Sequence, residues 1–179
     1  MSAPNNPVEK IAAQPFVITR EFAAPRELVW KAWTESERLQ QWFGPKDFTG
    51  TTVKLDLRPG GTLHSWLHSP DGKEMWGKWI FRDVIAPERL VWVHSFSDKD
   101  GGITRHPLSP TWPLELLTVT TFAERGDKTV LTLKWTPLNA TDEEIKTFNN
   151  AHQGLTHGWG GTFDQLAEYL KQLQTKEKK

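Results

Sequence analysis

The sequence predicts one α+β domain in which a curved antiparallel sheet wraps around a long C-terminal helix, with two short helices after the first strand. Three observations favour this fold class. The chain has 179 residues, which is close to the usual size of a single domain. Its central part alternates strand-like segments with turn signals. Towards the C-terminus, apolar residues recur at steps of three and four, as on the buried face of a helix.

The N-terminal part predicts a strand followed by the two short helices. Residues 1–14 contain several prolines and asparagines and are expected to form a flexible arm. Residues 16–23 have the composition and the alternation of a strand. Pro25 suits the first position of a helix. The spacing of Thr34 and Glu37 is that of a capping box, which predicts the start of the second helix.

Six further segments predict the remaining strands. They are residues 51–57, 62–68, 74–85, 89–97, 114–123 and 129–136. The last segment alternates most clearly, with Leu131, Leu133 and Trp135 on one face and polar residues on the other. A sheet with one buried face and short connections is typically antiparallel.

A single helix is predicted over most of residues 142–172, and Thr141 and Glu144 form a second capping box at its start. Its apolar stripe consists of Ile145, Phe148, His152, Leu155, Trp159, Phe163, Leu166, Leu170 and Leu173. Four glycines lie on the same helix, at positions 154, 158, 160 and 161. Each costs roughly 1 kcal/mol relative to alanine. We therefore expect either a kink or a close approach of the helix backbone to the sheet or to a ligand.

Charge and composition exclude several classes of function. The 22 basic and 22 acidic residues balance, so no basic field would attract nucleic acid or an anionic membrane. The absence of cysteine excludes disulfides and thiolate catalysis. No segment has the pattern of a signal peptide or a membrane span, which predicts a cytoplasmic protein. The expected organisation is the arm, a folded domain over residues 15–173 and a charged tail at 174–179.

Several short motifs resemble those of a known family. They lie at residues 24–30 (APRELVW), 33–34 (WT), 41–45 (QWFGP), 58–61 (RPGG), 70–72 (PDG), 87–91 (PERLV) and 158–159 (GW). In this order, over residues 15–172, they resemble the Hsp90-ATPase-activator-homologue (AHSA1-like) branch of the START-like superfamily, which includes polyketide cyclases and Bet v 1-type proteins. The resemblance implies the helix-grip fold. It also implies an internal cavity for lipids, sterols or polycyclic aromatic compounds between helix and sheet.

Two stretches allow more than one interpretation. Residues 98–113 form a connection that is longer than the family pattern and contains Trp112. Long connections of this kind are commonly lids or disordered segments, and a lid would carry Trp112 towards the mouth of the cavity. In the second of the six strand segments, Leu63 and Leu67 favour one inward face and Trp66 favours the other.

Ten tryptophans beside a single tyrosine are unusual, because the indole ring is large and its N–H needs a partner. One explanation is a solid core that is rich in tryptophan. The other is a cavity walled by indole rings, which suits an apolar or aromatic ligand. The predicted lining residues are Trp42, Phe43, Trp79, Phe81, Trp92, His94, Trp112, Leu133, Trp135, His152 and Trp159.

His94 and His152 are the candidates for acid–base chemistry. His94 alternates with Trp92 and Phe96, and His152 lies on the apolar helix stripe, so we expect both to point inward and His152 to be buried. A desolvated histidine can serve as an acid or a base, or only as a core residue or a hydrogen-bond anchor. No metal-binding spacing and no phosphate loop are present, so neither a metal nor another cofactor is expected.

These observations favour binding of a small hydrophobic molecule, lipid-like or polycyclic aromatic, without catalysis. One alternative is a cyclase or hydrolase that acts on an aromatic polyketide-type substrate and uses His94 or His152. Another, which the family name implies, is stress-related co-chaperone action of the Hsp90 type. The expected partner is the small molecule, with neither nucleic acid nor a membrane, and a homodimer is also considered.

Overall fold

One antiparallel sheet of eight strands forms the frame of the protein in the computed structural model, which describes residues 11–177. Its strands are β1 (Phe16–Phe22), β2 (Thr49–Leu55), β3 (Thr62–His68), β4 (Glu74–Ile85), β5 (Arg89–Ser97), β6 (Ile103–Thr104), β7 (Glu115–Arg125) and β8 (Lys128–Leu138). The order across the sheet is β1-β8-β7-β5-β4-β3-β2, and the short β6 pairs with β5. Bulges in β2 and β4 add bends to this frame.

Alternation along the strands decides which side chains enter the core. In β8, Leu131, Leu133 and Trp135 are buried, whereas Thr132 and Lys134 between them are more exposed. In β3, the inward face is the one that carries Leu63 and Leu67, because Leu63 is fully buried. Trp66 has the opposite parity and stacks on Trp76 of β4, with ring centroids 5.7 Å apart.

Two short helices follow β1, as predicted: α1 (Arg26–Thr34) and α2 (Ser36–Leu39). The predicted capping box at Thr34 is wrong. Thr34 is the last residue of α1, and its hydroxyl donates to the carbonyl of Trp30 at 2.8 Å. The residue before α2 is Glu35, and it makes no side-chain cap.

The C-terminal part forms two helices, α3 (Asp142–Asn150) and α4 (His152–Glu177). The prediction of one helix is therefore wrong at Ala151, whose N–H bonds to the carbonyl of Phe148 in a tighter turn. The predicted cap at Thr141 is confirmed, since its hydroxyl accepts the N–H of Glu144 at 3.2 Å.

The connection between β5 and β7 is packed against α3. Trp112 lies on Phe148 with ring centroids 5.7 Å apart. The Thr147 hydroxyl donates to the Thr111 hydroxyl at 2.8 Å, and Arg105 pairs with Glu144. These contacts tie the connection to the side of the fold.

The curved antiparallel sheet and the long C-terminal helix confirm the predicted α+β helix-grip fold. Of the predicted arm at residues 1–14, the first ten residues lie outside the described part of the chain. Its last part meets α3, because the Asn149 side chain accepts the N–H of Gln14 and donates to the carbonyl of Ala12. Within residues 11–177, none of the helices has the length and apolar character needed to cross a membrane.

Candidate functional site

A cavity of about 860 Å³ lies between the inward face of the sheet and the first half of α4. Strands β3, β4, β5 and β8 supply its floor, and residues 154–164 of α4 supply the opposite side. The segment at 43–46, which follows α2, lies at the rim beside exposed residues such as Lys46 and His157. The cavity therefore opens to solvent along the edge where α4 meets this segment.

Aromatic rings that contact one another line the cavity from the sheet, from α4 and from the segment after α2. Trp79 and Trp92 come from neighbouring strands and stack with centroids 4.3 Å apart. Phe43 meets the ring of Trp79 edge-on at 5.4 Å. Trp159 of α4 meets Trp135 edge-on at 5.5 Å. Such pairs stabilise one another beyond their buried area, so the wall is held in place without a ligand.

A further indole supports this wall from the core. Trp33 of α1 is buried, and its ring is nearly parallel to that of Trp159 at a centroid distance of 6.4 Å. It also lies 6.0 Å from Trp92. The wall residues therefore rest on a packed layer below them.

The structure places six of the eleven predicted lining residues on the cavity wall. They are Phe43, Trp79, Trp92, His94, Trp135 and Trp159. The other five lie elsewhere. They are Trp42, Phe81, Trp112, Leu133 and His152.

Three of these five are core residues. Trp42 is buried, and its indole N–H donates to the carbonyl of Ala32 at 3.0 Å. Phe81 and Leu133 are buried on the inward face of the sheet. They belong to the packed core and do not line the cavity. Parity identifies the face of a strand, whereas the position of a cavity along that face depends on where the helices cross.

Trp112 and His152 lie at the α3 end of the fold. Trp112 contacts Phe148, as described above, and does not act as a lid over the cavity. His152 is half-buried rather than buried, and its ring lies between Phe16 at 5.8 Å and Phe148 at 5.2 Å. The helix break at Ala151 separates this position from the stripe that faces the cavity.

Several cavity residues were missed from the sequence. They include Arg20, Ser65, Leu67, Met75, Trp76, Gly77, Phe96 and the four glycines of α4. Phe96 shares the parity of Trp92 and His94, which was a usable signal. Gly77 has no side chain whose direction could be predicted from the alternation. Ser65 is a small polar residue, and nothing in the sequence indicated that it lies on the cavity floor.

His94 is a polar group in an apolar wall. Its imidazole stacks on Trp135 with centroids 5.4 Å apart and rings nearly parallel. Part of the ring faces the cavity, but the rest is enclosed, and this burial lowers the pKa of His94 from 6.5 to about 4. His94 is therefore neutral near pH 7. Neither ring nitrogen hydrogen-bonds to a partner among residues 11–177.

Formal charges lie at the rim rather than on the floor. The guanidinium of Arg20 bonds to the carboxylate of Asp164 and to the carbonyl of Gly160 at 3.4 Å. It also lies 5.8 Å from the ring of Phe163. Lys46 and His157 are exposed at the rim. Arg20 is thus already paired in the absence of a ligand.

All four glycines of α4 lie along the cavity, and the helix continues through them without a break. A Cβ atom added at Gly154, Gly158 or Gly161 would meet no atom within 4 Å, and one at Gly160 would meet only Arg20 at 3.9 Å. The expected close approach to the sheet is therefore wrong at these positions, and the kink stays a prediction. These glycines leave open space beside the helix backbone.

No metal site accompanies the cavity. Among residues 11–177, no group of three or more His, Asp or Glu side chains is arranged to hold a metal ion. The polar groups of the site are thus hydrogen-bonding groups on the floor and charges at the rim.

Comparison with known proteins gives a family match and many similar folds. The model of the family "Activator of Hsp90 ATPase homolog 1-like protein" matches residues 23–171. The crystal structure of NE0264 from Nitrosomonas europaea is 28% identical, with a TM-score of 0.71 over 90% of this chain and 96% of that chain. Ms6760 from Mycobacterium smegmatis is 27% identical, with a TM-score of 0.70 over 86% of this chain and 88% of that chain.

The AHSA1 protein SPO3351 from Silicibacter pomeroyi has the same fold, with a TM-score of 0.65 at 19% identity over 88% of this chain and 98% of that chain. Among curated proteins, none matches the sequence. The family model spans most of the sheet and both C-terminal helices. The chain therefore belongs to the Activator of Hsp90 ATPase homolog 1-like family.

Proposed function

We propose that this protein binds a small hydrophobic molecule in the cavity between the sheet and α4. The observation that carries the proposal is a cavity of about 860 Å³ whose wall is built from the rings of Phe43, Trp79, Trp92, Trp135 and Trp159. Protein interiors are normally close-packed. Cavities of roughly 300–1,000 Å³ with mostly apolar walls and a few polar groups are typical of ligand sites.

Glycine at the cavity lining also supports the proposal. A glycine inside a helix costs roughly 1 kcal/mol relative to alanine, and no neighbouring atom requires glycine at 154, 158 or 161. Gly77 lies within β4 on the floor, where glycine weakens a strand. These positions give up stability and leave volume free, as a ligand site would require.

Catalysis by a cyclase or hydrolase has weaker support. Because the pKa of His94 is about 4, its protonated form is rare at pH 7, which makes it a poor general acid. His152 does not line the cavity, so it could not touch a substrate there. The co-chaperone alternative rests on the family name, and the geometry of the cavity adds nothing to it.

The proposal is tested by filling the cavity from its floor. A Cβ atom at Gly77 would meet only the Ser65 hydroxyl at 3.7 Å and the Ser95 carbonyl at 3.9 Å, so the ring in Gly77→Phe would extend into the cavity. Phenylalanine is also favoured in strands. We expect Gly77→Phe to stay folded and to lose at least tenfold in affinity for anthracene, measured by quenching of tryptophan fluorescence.

The matched control is Thr121→Phe, which places the same ring in β7 on the opposite face of the sheet. It should bind anthracene as the wild type does. Native mass spectrometry of the purified protein should, in addition, detect a co-purified apolar molecule. Failure of the wild type to bind any member of a broad apolar library would overturn the proposal, and the tryptophans would then be core residues only.

A further inference from the structure

Apart from indole N–H groups such as those of Trp92 and Trp135, the floor of the cavity carries two polar side chains without a hydrogen-bond partner in the described part of the chain. Ser65 of β3 and His94 of β5 both line the cavity. Ser65 is 8% exposed, and its hydroxyl makes no hydrogen bond to the described part of the chain. The two threonines that line the cavity from α4 differ, because the Thr156 hydroxyl already donates to the carbonyl of His152 and the Thr162 hydroxyl to that of Gly44.

The strand register fixes how these two groups are spaced. Ser65 pairs with Gly77, and His94 pairs with Trp79. The two residues are therefore two strands apart and offset by two positions along β4. With about 4.8 Å between strands and about 3.4 Å per residue, their Cα atoms are roughly 12 Å apart. The line between them crosses β4 between Gly77, which leaves the floor bare, and Trp79, whose ring lines the cavity.

The surroundings favour an uncharged ligand body. Trp79, Trp92 and Trp135 present rings to the cavity, and transfer of a charged group into such surroundings is costly unless it is paired. The guanidinium of Arg20, at the rim, is already bonded to the carboxylate of Asp164 and the carbonyl of Gly160. Near pH 7 the floor therefore offers two neutral groups that can donate or accept hydrogen bonds.

We propose that the ligand is a flat, uncharged polycyclic compound with a hydroxyl or carbonyl group at each end, one bonded to His94 and the other to Ser65. The flat body lies between them, over Gly77 and against the ring of Trp79. This inference rests on the proposed function and adds to it the chemical class of the ligand. His94 and Ser65 are then the residues that determine specificity.

A matched series of probes tests this inference. Anthracene, 2-hydroxyanthracene and 2,6-dihydroxyanthracene share one ring system and differ in the number of hydroxyl groups, and 2-anthracenecarboxylate adds a charge. A neutral hydrogen bond contributes about 0.5–1.5 kcal/mol, which is roughly 2- to 12-fold in affinity. Each hydroxyl should therefore lower the Kd by that factor, and the carboxylate should bind more weakly than 2-hydroxyanthracene.

Two variants test whether His94 and Ser65 cause the gain in affinity that the hydroxyl groups provide. His94→Phe keeps a ring beside Trp135, and Ser65→Ala removes only the hydroxyl. Each should reduce the gain of 2,6-dihydroxyanthracene over anthracene, measured as the ratio of the two Kd values in the same variant, by roughly 2- to 12-fold. The melting temperature of each variant is measured alongside, to show that the cavity is intact.

The outcomes separate this inference from the proposed function. If anthracene binds and the hydroxyl groups give no gain, the ligand class is wrong and the cavity proposal stands. If the carboxylate binds most tightly and loses affinity in Arg20→Gln, the ligand is an acid recognised at the rim, and the inference is overturned. If no member of the series binds, both proposals fail.

Discussion

At the scale of single residues, His94 gives the clearest link between burial and a solution measurement. Enclosure among aromatic rings lowers its pKa to about 4, whereas a histidine in the unfolded chain has a pKa of about 6.5. As the pH falls from about 6.5 to about 4, the unfolded state binds a proton at this position and the folded state does not. Folding stability must therefore fall with pH in this window.

This effect predicts a difference between the wild type and His94→Phe. Between pH 7 and pH 4.5, the wild type should lose about 2–3 kcal/mol more of its free energy of unfolding than the variant does. Urea denaturation at both pH values measures it, and the five other histidines are common to both proteins. An identical pH dependence for the two proteins would mean that His94 is not desolvated.

The tryptophans predict a second contrast at this scale. Trp33 is 1% exposed within packed rings, so Trp33→Ala should cost about 3–5 kcal/mol. Trp159 is half-buried and has open space on one side, so Trp159→Ala should cost clearly less and should instead weaken anthracene binding. Denaturation and ligand titration of both variants check this. A larger stability loss for Trp159→Ala would indicate a filled interior around α4.

At the scale of elements, α4 carries glycines that its own packing does not require. Gly158→Ala should stabilise the protein by about 0.5–1 kcal/mol, since the added methyl group meets no atom and helix propensity improves. Gly126→Ala is the matched control. Gly126 lies in the turn between β7 and β8 with φ of +63°, so the same substitution should destabilise the protein by about 1 kcal/mol. Thermal denaturation compares them, and a loss of stability in Gly158→Ala would reveal a contact on that face of the helix.

The connection between β5 and β7 predicts a separation between stability and binding. Trp112 anchors it to Phe148 of α3 and lies away from the cavity. Trp112→Ala should therefore lower the melting temperature and leave the Kd of anthracene within about twofold. A strong loss of affinity with little loss of stability would instead assign this connection a role as a lid.

At the scale of the whole molecule, local patterns predicted the sheet and most of the helices. The alternation of Leu131, Leu133 and Trp135 is a property of β8 itself, and so its inward face was predictable. The break at Ala151 was not, because the stripe of apolar residues continues on both sides of it. The capping box predicted at Thr34 was wrong because α1 extends through that residue, which therefore cannot start the next helix.

The cavity was predictable in kind and only partly in detail. Parity placed Trp79 and Phe81 on the same face of β4, yet Trp79 lines the cavity and Phe81 lies in the core. That difference arises from where α4 and the short helices cross the sheet, which is a property of the assembled fold. Gly77 and Ser65 were missed because a small residue on a floor is defined by the larger residues around it.

The central claim is that the indole-walled cavity holds an apolar ligand, and the indole N–H signals of the ten tryptophans test it most directly. Addition of anthracene should shift the signals of the tryptophans that line the cavity, which are Trp76, Trp79, Trp92, Trp135 and Trp159. The signals of Trp30 and Trp112 should stay in place, because these residues lie outside the cavity. Unchanged signals at saturating anthracene, or shifts confined to Trp30 and Trp112, would contradict the account.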